Sequence, residues 1–147
     1  MSKIDLLNQL VADLSIAFVK FHNLHWNVIG EPGERFKEVH EYAEELYDML
    51  NENYDEVAER VKMLGEFPPA SAKAYLERTK IEELENRDYT IHETYEHLRD
   101  TLEYLRGLIA DARNKADEDD DFATVAMLED IVQDYDKHIW FIKQALK

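Results

Sequence analysis

Cysteine is absent from the 147 residues. That excludes disulfides and thiolate metal sites and leaves a reducing compartment compatible. Glycine (4) and proline (3) are scarce. A β fold needs a turn roughly every ten residues, so this scarcity points to a few long helices. No apolar run approaches the roughly 18 residues of a membrane span. Basic residues are also short: 17 Lys and Arg stand against 33 Asp and Glu, for a net charge of −16. Nucleic-acid affinity rests on cationic groups that displace phosphate counterions, so direct DNA binding is not expected. An acidic surface favours solubility, and it steers cations only where a metal site exists. Asp5 and Asp13 interrupt the apolar pattern of MSKIDLLNQLVADLS, unlike a signal peptide. The expected location is the cytoplasm, with nucleoid association as the variant.

What is present is helical periodicity. Apolar residues recur in steps of three and four at Ile4, Leu7, Val11, Leu14, Phe18 and Phe21, and His25 continues the series. The pattern predicts a helix to about Val28, ended near Gly30 by a loop at Glu31-Pro32-Gly33. Acidic Glu34 is expected to open a second helix, which runs from Phe36 through Val61 to a stop at Gly65. A long connection from Gly65 to Arg87 follows, with room for a short helix at Ser71 to Arg78. A third helix is expected from Tyr89 to about Lys115, then an acidic turn at Asp117 to Asp121, then a fourth helix from Phe122. Two short links and one long one describe an all-α four-helix bundle with a crossover, as a single domain over residues 1–147.

The chemistry concentrates between His22 and Arg60. On a helix of 100° per residue, Glu44 falls about 40°, Asp55 about 60° and Glu59 about 100° from His40. All four share one stripe. Histidine nitrogen with carboxylate oxygen suits iron, manganese or zinc. Yet His40 and Asp55 are fifteen residues apart, about 22 Å along one helix. One centre cannot take ligands from both ends. Either there are two unrelated half-sites, or a two-fold axis near Met49 and Leu50 brings a second chain's Asp55 and Glu59 to this chain's His40 and Glu44. The second arrangement suggests a site shared between subunits, with His25 arriving from the first helix. No Glu-x-x-His occurs in the chain, which disfavours a di-iron centre inside one bundle. His22, one turn from His25, is either an outer ligand or placed just behind these ligands. Trp26 is either core or an oxidisable aromatic beside the metal. His92, His97 and His138 are expected to be solvated surface residues.

The stretch HNLHW, then Gly30, Phe36 and His40, then DEVAER at Asp55 to Arg60, resembles the signature of the Dps proteins, the mini-ferritins. KMLGEFP at Lys62 to Pro68 and DKHIW at Asp136 to Trp140 extend the match over essentially the whole chain. The resemblance implies a ferritin-like four-helix bundle, with a short helix in its crossover, that assembles into a hollow dodecamer. It implies a ferroxidase that oxidises Fe(II), preferably with hydrogen peroxide, and stores ferric mineral against oxidative stress. The sites would lie at two-fold interfaces, with His25, His40 and Glu44 from one subunit and Asp55 and Glu59 from its partner.

By analogy with the family, Asp120, Asp121 and Asp130 would line three-fold pores. Two departures stand out: Glu44 replaces the family's usual Asp, and the Gly30–Phe36 loop is about three residues longer than the common pattern. A DNA-binding, nucleoid-protecting role is the alternative, but only Lys3 precedes the first helix and no lysine-rich arm is expected. A structural oligomer with a vestigial site is the third reading.

Overall fold

The computed structural model describes residues 1–147. Four long helices, α1 (Lys3–Asn27), α2 (Phe36–Met63), α4 (Ile91–Glu118) and α5 (Phe122–Ala145), form the bundle, and α3 (Ala72–Arg78) lies in the crossover between α2 and α4. α1 packs mainly on α2 and α4 mainly on α5, and α1 also lies against α4 across the bundle. One small feature escaped the periodicity. Val28–Ile29 (β1) and Tyr89–Thr90 (β2) pair as a two-residue parallel ladder, joining the end of α1 to the start of α4.

The helix ends follow local chemistry. Ser2 and Asp5 form a reciprocal capping box, each side chain accepting from the other's backbone N–H at 3.1 Å. Ser71, Thr90 and Asp121 cap α3, α4 and α5. α2 stops at Met63 with Leu64 as its C-cap, and Gly65 follows with a φ of 85° that suits glycine. α4 runs past the expected stop to Glu118, and Asp120 takes the left-handed turn residue with φ 56°. Glu34 does not open α2. The helix begins at Phe36, and the Glu34 carboxylate instead accepts from the Glu31 N–H within the turn.

The core is a cluster of 23 buried residues drawn from all the long helices, including Leu7, Leu14, Leu46, Leu102 and Tyr135. Within it Asp13 is fully buried. Its carboxylate accepts from Gln9 Nε2 (3.1 Å), Thr79 Oγ1 (2.7 Å), the Lys80 N–H (2.8 Å) and the Tyr104 hydroxyl (2.6 Å). A buried carboxylate is tolerable only with such donors. Here they bind the crossover to α1 and α1 to α4. His138 is also buried and hydrogen-bonds with Tyr42 at 2.8 Å, which corrects the expectation of a solvated side chain. His92 is exposed and His97 half-buried.

Candidate metal centre

The junction of α1 and α2 brings His25 and His40 together. Their rings stack at 3.7 Å with planes 15° apart. His25 Nδ1 lies 2.6 Å from the His40 carbonyl, and His40 Nδ1 lies 2.6 Å from the His25 carbonyl. A carbonyl only accepts, so each Nδ1 carries its hydrogen and donates, which leaves Nε2 as the ring nitrogen available to a metal. His25 sits in the last turn of α1, where carbonyls lack helical partners, so its oxygen is free to accept from His40. α2 itself has no side-chain cap at Arg35. Metal-binding histidines characteristically donate their second nitrogen to a carbonyl or carboxylate, which fixes tautomer and orientation.

Glu44 follows His40 by one turn, and its Oε1 stands 3.7 Å from His25 Nε2. Phe36 stacks on His40 at 5.6 Å. His22 donates from Nδ1 to its own helix at the Phe18 carbonyl (2.9 Å), and Trp26, 69% exposed, lies 5.4 Å from its ring. Sequence reasoning missed Tyr47. It stacks on His22 at 3.8 Å and meets His25 edge-on at 5.3 Å. Partial burial, and then the Glu44 and Asp48 carboxylates, raise its phenol above the ordinary value. A signal was available: seven residues past His40, Tyr47 falls about 20° from it on the helix, inside the ligand stripe.

Asp55 and Glu59 stay apart from this group. They are exposed, one turn from each other on the unbroken α2, and about 22 Å beyond His40 by helical rise. Within one chain no three His, Asp or Glu side chains converge to hold a metal ion. The pore candidates also separate. Asp121 is tied down: Arg60 (3.1 Å) and Lys3 (3.1 Å) pair with it, and it caps Thr124. Partial burial works against its charge, but hydrogen bonds from Thr124 and Lys3 outweigh that and hold its pKa at about 2. Asp130 is exposed and faces α2 near Glu56, whose carboxyl is raised by partial burial and then by Asp130, Glu52 and Glu59. Asp120 is exposed on the α4–α5 turn.

A long-helix bundle with a crossover helix, and a stacked histidine pair with a carboxylate at the α1–α2 junction, defines a ferritin-like class of protein. Comparison with known proteins agrees. A family model, described as Ferritin, ferritin-like domain, matches residues 4–147. The DNA protection during starvation protein of Brevibacillus brevis is 37% identical over 142 residues, spanning 97% of this chain and 93% of that protein. Antigen TpF1 of Treponema pallidum is 36% identical over 141 residues, spanning 96% of this chain and 78% of that protein. The crystal structure of TpF1 superposes with a TM-score of 0.94 at 34% identity, covering 99% of this chain and 91% of that one. Dps from Listeria monocytogenes gives 0.93 at 34% identity, covering 99% and 94%. The chain belongs to the ferritin-like family, among its Dps proteins. That family has iron-storage and DNA-protection roles.

Proposed function

We propose that this chain is a ferroxidase and iron store that protects against oxidative stress, working as a homo-dodecamer with its sites at two-fold interfaces. The observation that carries this reading is the reciprocal His25–His40 clamp, which leaves both Nε2 atoms unengaged by backbone. His25, His40 and Glu44 bind Fe(II) on one subunit, and Asp55 and Glu59 of the partner subunit complete the site. The two histidines are fixed beforehand, so little orientational freedom is lost on binding.

Iron is the substrate. Two Fe(II) each give one electron to hydrogen peroxide, the O–O bond breaks, and two hydroxides form. Coupling both electrons to one peroxide suppresses hydroxyl radicals. Glu44 and the partner's carboxylates balance the added positive charge, and the ferric product moves into the acidic interior. Asp120 and Asp130 serve as pore carboxylates in this reading, whereas Asp121 is held by its ion pairs. Direct DNA binding is disfavoured by the net charge of −16. His22 and Trp26 flank the site and complete its aromatic wall.

The deciding experiment is anaerobic loading with Fe(II) followed by a pulse of peroxide, with ferric absorbance recorded. Wild type should oxidise two Fe(II) per peroxide. A His25→Ala, Asp55→Ala double variant should fall to the rate of free iron. Oxidation by that variant as fast as wild type removes the site assignment.

A further inference from the structure

An imidazole on a helix can turn about its side-chain bonds, and its terminal torsion is broad. For His25 the Nδ1 hydrogen bond selects one face, and Tyr47 blocks swinging from the edge, at 89° to the ring. For His22 the hydrogen bond runs only to its own helix, one turn back. Its aromatic contact from outside α1 is Tyr47, stacked at 18°. Phe18 wedges against Tyr47 at 5.7 Å and against His22 at 4.5 Å, so the tyrosine ring is itself held on two sides. One side chain of α2 therefore touches both histidines of α1, while His40 stacks on His25 as well.

We infer that Tyr47 is a positioning residue of the metal centre: its ring restrains the rotation of His25 and of His22 beside it, so the His25 ligand nitrogen is oriented before a cation arrives. This rests on the reading of His25 and His40 as ligands. Tyr47 acts through the packing and shape of its ring. Residues that orient a metal-binding histidine are typically worth about 10- to 100-fold in metal affinity.

The test uses assembled protein carrying Tyr47→Phe, Tyr47→Leu or Tyr47→Ala. Co(II) binding is read by visible absorption and Fe(II) oxidation by stopped flow. Tyr47→Phe should match wild type. The Leu and Ala variants should bind Co(II) about tenfold more weakly or worse and need correspondingly more Fe(II) for half-maximal rate, with the saturated rate little changed. Leu or Ala variants that bind Co(II) like wild type overturn the inference, as does a Phe variant as weak as Ala. Crystal structures of wild type with and without Co(II) give a readout independent of any variant. Unmoved His25 and His22 rings support pre-orientation, and a change of rotamer on loading refutes it. His25→Ala is the control: if it binds Co(II) normally, the ligand reading fails, whatever Tyr47 does.

Discussion

The Tyr42 hydroxyl meets His138 Nδ1 at 2.8 Å, tying α2 to α5 across 96 positions of sequence. Burial holds His138 below the ordinary imidazole value; Glu45 and Asp134 oppose this and Lys137 adds to it. Tyr95 and Phe141 pack around the Tyr42–His138 pair. Because the folded value is depressed, the unfolded chain takes up a proton first as pH falls below about 6.5. Stability is therefore full above that pH and declines as pH drops toward the lower folded value. Urea midpoints at pH 7.5 and at pH 5.5 should fall in wild type and fall less in His138→Gln. Equal losses in both proteins would remove His138 as the cause.

Asp121 gives a second, more acidic window. Its folded pKa of about 2 lies below the ordinary 3.8. The hydrogen bonds from Thr124 and the pair with Lys3 thus stabilise above that ordinary value and are lost as pH falls through the folded one. Asp121→Asn should flatten acid unfolding monitored by far-UV circular dichroism in that range. A curve superimposable on wild type would count against it.

Asp13 carries the largest expected stability effect. Asp13→Ala leaves the Thr79 and Tyr104 hydroxyls, the Lys80 N–H and the Gln9 amide without their shared acceptor. The loss should be about 3 kcal/mol or more. For a chain of this size each kcal/mol lowers Tm by roughly 2–4 °C. Calorimetry showing a change under one degree would contradict the role of this network.

A site shared between subunits, as proposed, makes a specific demand on mixed assemblies. His25→Ala and Asp55→Ala subunits should each be inactive alone. Co-assembled, a mixed dimer holds one site with both ligands lost and one with both intact. Peroxide-driven Fe(II) oxidation should then return toward half of wild type within mixed dimers. Failure to recover in verified mixed shells would place the ligands within single chains.

The fold was largely legible in the sequence because apolar spacing reports a buried helical face directly, and Leu7 to Phe21 and Leu98 to Ile109 follow it. Helix ends were less legible: Glu34 reads as a helix opener but is captured by the turn it sits in. The separation of His40 from Asp55 was readable because helical rise is constant. Tyr47 was not singled out, since an aromatic beside the apolar face of a helix looks like core. His138 and Asp13 depend on partners up to 96 and 91 residues away, and no local pattern marks such pairs. The β1–β2 ladder is two residues long, too short for any period.

Direct DNA binding can be checked by gel shift at low salt and neutral pH. With −16 per chain, free DNA should migrate unretarded. A shifted band under those conditions would revive the nucleoid role.

The two histidine-to-carbonyl bonds close residues 25–40 into a ring fastened at its base. Whatever happens in the Gly30–Arg35 arc is mechanically bypassed. The arc can lengthen, shorten or carry a grafted peptide, and the paired imidazoles keep their places. The segment beside the histidine pair is thus free to vary in length, a natural port for inserting sequence into the chain without rebuilding that pair.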